Sequence, residues 1–222
     1  MAIMGLLNPT YAHNMKPKFV SNSQESSRMF KNDFLESMSK MHFSLPLIIF
    51  IPVIAFFMYR AVSVFHEPAL YIILLFIAGA FTWSLTEYLM HRFLFHYKPT
   101  SETGKRLHFV FHGVHHDYPN DAKRLVMAPS VSIPLAILYY YLFRLLMGEQ
   151  HVASFFSGFV AGYLFYDMTH YAIHHLTFKN GLWMKLKTRH MMHHYRDDDN
   201  GYGVSSNFWD IVFGTTFKDK VK

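Results

Sequence analysis

The sequence predicts an all-α integral membrane protein, with four transmembrane helices beneath a helical cap rich in histidine. Three observations carry that prediction. Hydrophobic residues make up 51% of the 222-residue chain and charged residues only 16%, against about 25% charged in soluble domains. Four long apolar stretches lack the polar face that a surface helix shows with a 3.6-residue period. Nineteen of the 21 Lys and Arg residues fall in segments that these stretches place on one side.

The elements follow in order. Residues 1–43 form an N-terminal segment, in which "MGLL" is too short for the apolar core of a secretory signal. Within it, "SRMFKNDFLESMSKMH" places Phe30, Phe34 and Met38 four apart. That spacing fits a helix lying at the membrane interface, and equally an ordinary amphipathic helix packed on the cap. The spans are expected at about 44–65, 69–86, 127–147 and 152–168, near the 17–25 residues that a bilayer core requires. The first reaches that length if Arg60 snorkels, its charge lifted to the membrane surface; the fourth reaches it by running past Asp167. "HEP" joins the first pair and "GEQ" the second, both as tight turns. The basic residues divide as five before Ser44, six in 87–126 and eight after Tyr166, with only Arg60 and Arg144 near the short turns. The positive-inside rule makes the basic side cytoplasmic. Both termini then lie in the cytoplasm, in a bacterial inner membrane or an endoplasmic reticulum membrane, with His66 and His151 opposite. The cap is built from 87–126 and 169–222. No internal repeat divides the chain, so a single domain over 1–222 is expected.

The net charge of +6 is spread singly among aromatic residues, which argues for lipid contact and against nucleic acid. There is no cysteine, so metal chemistry here means imidazole or carboxylate. Sixteen histidines are present, and ten of them cluster: His91 and His96; His112, His115 and His116; His170 and His174; His190, His193 and His194. Residues i, i+3 and i+4 share a helix face, so each H-x-x-H-H should present three imidazoles to one point. The motif occurs twice where chance gives on the order of 0.1 occurrences. All ten histidines lie on the expected cytoplasmic side. They are too many for one ion and suit two. Iron, zinc, copper and nickel all accept imidazole. A structural zinc site needs only about four ligands, and a haem held inside the bundle would need histidines within the spans. "DDDN" at 197–200 lacks the rest of a calcium loop and reads as a solvated turn.

On these residues the chain resembles the fatty acid hydroxylase/sterol desaturase superfamily, and within it is similar to the fatty acid 2-hydroxylases. "HRFLFH", "HGVHH" and "HMMHH" match the superfamily signature. "EYLMHRFLFH", "LHFVFHGVHHDYPND", "RLVMAP", "YDMTHYAIHH" and "GVSSNFWDIVFGT" carry the narrower likeness, over about 26–217. The resemblance implies two iron ions held by the ten histidines, with zinc able to occupy the positions in purified protein. It also implies dioxygen-dependent insertion of oxygen at carbon 2 of a long-chain acyl lipid, free or within a sphingolipid such as ceramide. A desaturase or sterol-type oxidase would use the same site, and a non-catalytic metal-binding membrane protein is the reading from another class. Tyr166, Asp167, His108 and His175 are the implied supporting or substrate-contacting residues. Asp167 is placed to orient an imidazole; Glu87, four residues before His91, fits the same role and equally an ordinary helix-surface glutamate at the membrane boundary. Many relatives carry a cytochrome b5 module with a His-Pro-Gly-Gly motif that this sequence lacks. A separate donor, cytochrome b5-type or ferredoxin-type with its reductase, is therefore expected.

Overall fold

The computed structural model describes residues 20–217 apart from 22, 24 and 27; "MGLL" lies outside them. Among the described residues all regular structure is helical. Helix α1 (Asp33–Met38) starts at Asn32, whose side chain accepts from the Leu35 amide at 3.1 Å. Helix α2 (Leu45–Tyr59) has Pro46 in its first turn, where no backbone donor is missed, and runs on into a π-helical turn, Arg60–Val64. Helix α3 (Ala69–Leu89) likewise passes into a π turn, Met90–Phe95. In the cap, α4 (Glu102–His108), a π turn Phe109–Gly113 and α5 (Val114–Asp117) follow one another. Then come α6 (Pro129–His175), α7 (Gly181–Tyr195) and α8 (Phe208–Val212).

Three helical stretches are long and apolar enough to cross a membrane: Leu45–Val64, Ala69–Phe95 and Pro129–His175. The third has 47 residues and is broken at Gly148, whose φ of 79° leaves the helical region. The rings of Tyr139 and Phe159 meet at 4.9 Å, as do those of Phe143 and Phe155. The two halves of α6 therefore fold back as an antiparallel hairpin, turning where the sequence has "GEQ". Arg60 pairs with Glu149 at 2.7 Å, and Arg144 reaches the same carboxylate at 3.1 Å. At the same end Glu67 is buried and accepts from Ser154 Oγ at 2.5 Å, with His151 Nδ1 at 2.8 Å from its other oxygen.

The bundle closes on small residues. A Cβ on Gly79 would sit 2.0 Å from the Phe155 carbonyl oxygen, and one on Gly158 would sit 1.9 Å from that of Phe76. Backbone thus touches backbone between α3 and α6. Such contacts carry helix association where lipid removes the hydrophobic drive between helices. Outside this seam the side chains are apolar and exposed, among them Ile48, Leu70, Ile77 and Leu145.

Helix α1 bears on the two readings of its apolar spacing. Its buried residue is Glu36, while Phe34 is 69% exposed and Met38 stands at the surface. Phe34 faces outward, as a helix at a membrane interface would have it, and a carboxylate fixes the helix from beneath.

The seam yields a direct test. Gly158→Ala forces rigid backbone apart and should cost about 1–3 kcal/mol, the usual range for overpacking, read as a lower unfolding temperature in detergent. Gly214→Ala, with open space around its Cβ position, lies off the seam and loses stability only through its positive φ of 70°.

Candidate metal centre

The helix ends bring all ten clustered histidines together, in two groups of five. His91, His96, His112, His116 and His193 form one; His115, His170, His174, His190 and His194 form the other. Within each group one ligand nitrogen per residue lies within 4.8 Å of all the others. The groups adjoin, and the rings of His116 and His194 stack at 4.2 Å between centroids.

The H-x-x-H-H motifs do not present three imidazoles to one point. Each gives its i, i+4 pair to one group and its middle histidine to the other. His112 and His116 go to the first group and His115 to the second; His190 and His194 go to the second and His193 to the first. The reason lies in helix geometry. At about 100° per residue, positions i and i+4 differ by about 40°, whereas i+3 and i+4 differ by about 100°. Adjacent imidazoles therefore diverge. "HRFLFH" raises the opposite problem, because i and i+5 lie about 140° apart on an α-helix. The π turn Met90–Phe95 removes that offset: the His96 amide donates to the His91 carbonyl at 3.1 Å, a five-residue step. The two rings end 4.9 Å apart.

The donor set fits metal ions. His190 Nε2 lies 3.0 Å from His170 Nε2, 2.9 Å from His174 Nε2 and 3.0 Å from His194 Nε2. An imidazole nitrogen either donates one hydrogen bond or offers one lone pair, so four of them around a point cannot satisfy one another. A cation at that point takes every lone pair. Nitrogens about 2.1 Å from one ion and at right angles to each other lie about 3.0 Å apart. The first group has the same spacings: 3.2 Å between His91 and His112, 3.0 Å between His112 and His116, and 3.0 Å between His96 and His193.

Behind the imidazoles, the loop 200–206 supplies carbonyls. His91 Nδ1 meets the Tyr202 oxygen at 2.5 Å and His193 Nδ1 the Asn200 oxygen at 2.8 Å, contacts that fix ring orientation. Two buried carboxylates hold the loop. Glu87 accepts from the Val204 and Ser205 amides at 2.8 and 2.9 Å and from the Ser205 hydroxyl. Asp210 accepts from the Tyr202 and Gly203 amides at 2.9 and 3.0 Å. Glu87 therefore orients His91 through a loop rather than directly. Asp210, Asn200 and Tyr202 carry no histidine-like spacing in sequence; the fold reveals them, Tyr202 by its contact with His91 111 residues away and Asn200 and Asp210 by shorter links within the same loop.

Asp167 contacts no histidine. Its oxygens accept from the Tyr163 hydroxyl at 3.1 Å and the Met127 amide at 3.3 Å. Tyr166 packs beside His170, with ring centroids 5.8 Å apart. Both line a cavity of about 280 Å³ that also reaches His112, His115 and His170; its walls are otherwise mostly apolar and include Phe95, Val110 and Val114. His108 and His175 do not line it. His175 packs against Tyr171 in a tilted arrangement, with ring centroids 4.7 Å apart. In the acidic turn, Asp199 pairs with Lys98 at 2.6 Å and Asp197 accepts from Asn200 at 2.8 Å.

The profile described as fatty acid hydroxylase matches residues 76–215. The chain belongs to this family. Among the relatives it matches is ceramide very long chain fatty acid hydroxylase scs7 of Schizosaccharomyces pombe, 41% identical over 194 residues, covering 86% of this chain and 55% of the relative. A dihydroceramide fatty acyl 2-hydroxylase of Arabidopsis thaliana is 34% identical, with 87% and 81% covered. Fatty acid 2-hydroxylase of Homo sapiens is also 34% identical, with 87% and 57% covered. A solved structure, full-length scs7p with only its hydroxylase domain visible, superposes with a TM-score of 0.79 at 37% identity, covering 85% of this chain and 71% of that one. The chain thus spans about half the length of the fungal and human relatives.

Two outcomes test the centre. Glu87→Ala frees the loop that orients His91, and should weaken metal binding by about 10–100-fold in the first group while sparing the second. Elemental analysis after graded chelator dialysis should then fall from two ions per chain to one. Burial, with His193 and His175 nearby, pushes His115 down from 6.5 to about 3, and burial also lowers His112, His116, His190 and His194. Between pH 6.5 and 3 the unfolded chain binds protons at such a site that the folded chain does not, so stability falls as pH falls. The unfolding temperature of metal-free protein should drop between pH 7 and pH 5; a flat profile would contradict this.

Proposed function

We propose that the chain is a membrane-bound monooxygenase that places a hydroxyl group on carbon 2 of a long-chain acyl group, free or carried by a sphingolipid. One observation carries the reading: ten histidines in two groups of five meet an apolar cavity at the ends of long apolar helices. The names of its relatives support the same reaction. In this reading the ten histidines hold two iron ions, for which zinc can substitute in purified protein. Bound there, iron would supply activation of dioxygen, with two electrons from a cytochrome b5-type or ferredoxin-type donor and its reductase.

The protein's own share is placement. The apolar walls hold an acyl chain and keep water from the histidines. Tyr166, on the cavity wall with its ring 5.8 Å from that of His170, faces the carbonyl end of the substrate. Asp167 is held by Tyr163 and Met127 and fixes the wall on which Tyr166 stands. His108 and His175 take a secondary place in this reading, since neither lines the cavity.

The topology that suits this chemistry has four spans, with α6 contributing two around Gly148. The cap of 87–126 and 169–222 then lies with both termini in the cytoplasm, and residues 1–222 act as one domain. The charge asymmetry supports that orientation. A desaturase on the same metals is the alternative; the 2-hydroxylase relatives favour hydroxylation.

Lipid mass spectrometry of cells with and without the gene tests the reaction. The expected product is sixteen mass units heavier than its substrate, with hydroxyl at position 2. His115→Ala and His193→Ala should each abolish it, and Tyr166→Phe should blur the position of the hydroxyl. A product two units lighter would mean desaturation instead.

A further inference from the structure

The cavity beside the histidines has an outer wall that the reaction above leaves unused. Leu35, Met38 and Phe111 line it and are also 47%, 36% and 54% exposed, so they stand where the cavity opens. Leu35 and Met38, with Phe30 and Ser39, belong to residues 28–41, outside the family-matched 76–215. The common catalytic core thus does not supply this part of the wall.

The segment is fastened from below. Glu36 accepts from the Met29 and Phe30 amides at 2.9 and 3.0 Å, from Lys40 at 2.9 Å and from Arg124 Nη2 at 2.6 Å. Burial raises the carboxyl, but these partners bring it down to about 2, so Glu36 carries its charge at any ordinary pH. Ser26 Oγ donates to Asp121 at 2.6 Å, and the Met41 amide donates to the Lys123 carbonyl at 2.7 Å. Helix α1 has six residues, too few to hold itself, so its position depends on these ties. The cavity, at about 280 Å³, is near the lower end of the ~300–1,000 Å³ of small-molecule sites. A long acyl lipid cannot be enclosed in it and must extend through the opening.

We propose that residues 28–41 form a rim that determines which acyl lipids reach the histidines, with Phe30, Leu35 and Met38 packing on the lipid and Glu36–Arg124 as the fastening. The proposal rests on the acyl-lipid reading above. A rim selects by the widest part of what passes it. An N-acyl long-chain base therefore feels its width more than a single-chain fatty acid does.

The test uses purified full-length chain in lipid nanodiscs, loaded with iron and supplied with air, NADPH and a cytochrome b5-type donor with its reductase, with an N-palmitoyl long-chain base and palmitic acid as competing probes. Two quantities are read: the ratio of 2-hydroxylated products, and the binding of each probe to protein stripped of metal. Leu35→Trp and Met38→Trp narrow the opening and should reduce kcat/KM and binding of the N-acyl probe about tenfold relative to palmitic acid, a typical size discrimination. Leu35→Ala and Met38→Ala should move the ratio the other way. Glu36→Gln should loosen the rim and raise KM for both probes, whereas Arg124→Lys, which keeps an ion pair, should do so less. An unchanged ratio in the tryptophan and alanine variants, with only the unfolding temperature altered, would make the segment a structural cover and overturn the proposal. Wild-type chain that binds neither probe and forms no hydroxylated lipid would overturn the acyl-lipid reading itself, and the rim with it.

Discussion

Ten clustered imidazoles, most of them buried and with neighbouring nitrogens about 3 Å apart, are the constraint on which this structure turns. Such an arrangement does not stabilise a fold. The Nδ1 atoms of His170, His190 and His194 are buried with no hydrogen-bond partner, and a buried unsatisfied group costs about 1–3 kcal/mol. The scaffold must offset this elsewhere, and metal binding returns free energy once ligands are brought together. The apolar bundle is that scaffold. Its glycine seam between α3 and α6 sets the distance between the helices whose ends carry His91, His170 and His174.

The two groups are built to one plan. Each takes two histidines that close on each other within one helical stretch, then a second such pair, then a single residue from a motif whose other members serve the opposite group. In the first group one of those pairs spans five residues, and the π turn after α3 absorbs the difference. π turns of this kind are uncommon and gather at functional sites. The loop 200–206 completes the first group by offering carbonyls to His91 and His193. Since Glu87 and Asp210 both hold that loop, an α3 residue and an α8 residue share control of one imidazole.

Much of this was legible in the sequence, and the illegible parts share a cause. Apolar runs reveal spans because lipid imposes one rule on every residue of a helix, so the runs at 44–65 and 69–86 and the turn at "GEQ" could be read directly. Clustered histidines reveal ligands because chance rarely repeats H-x-x-H-H. Spacing alone, however, ranks i+3 and i+4 as sharing a face, and misses that neighbouring imidazoles diverge enough to serve different points. It cannot report that Asp167 turns to Tyr163, or that Glu87 acts through Ser205, because those choices depend on segments about 40 to 120 residues away or on which rotamer the packing allows. Helix α1 shows the same limit, because its spacing alone left an interfacial helix and one packed on the cap equally open. Its apolar period is real, but in a protein surrounded by lipid an apolar face can point outward, and the anchoring residue can be the charged one.

Sharing each motif between both groups has a mechanical consequence. If every H-x-x-H-H served one group, the distance between the groups would depend on how α5 and α7 pack, and cap motions would change it. Here His115 and His116 are consecutive residues of one short helix, and His193 and His194 are consecutive residues of another. The separation of the two groups is therefore set twice by a single residue step along a helix backbone, about the stiffest ruler a chain possesses. Two ions held this way would keep their spacing while the cap shifts and the rim at α1 gives way to a lipid. A cavity wall that must adapt and a metal pair that must not can then coexist within one small cap.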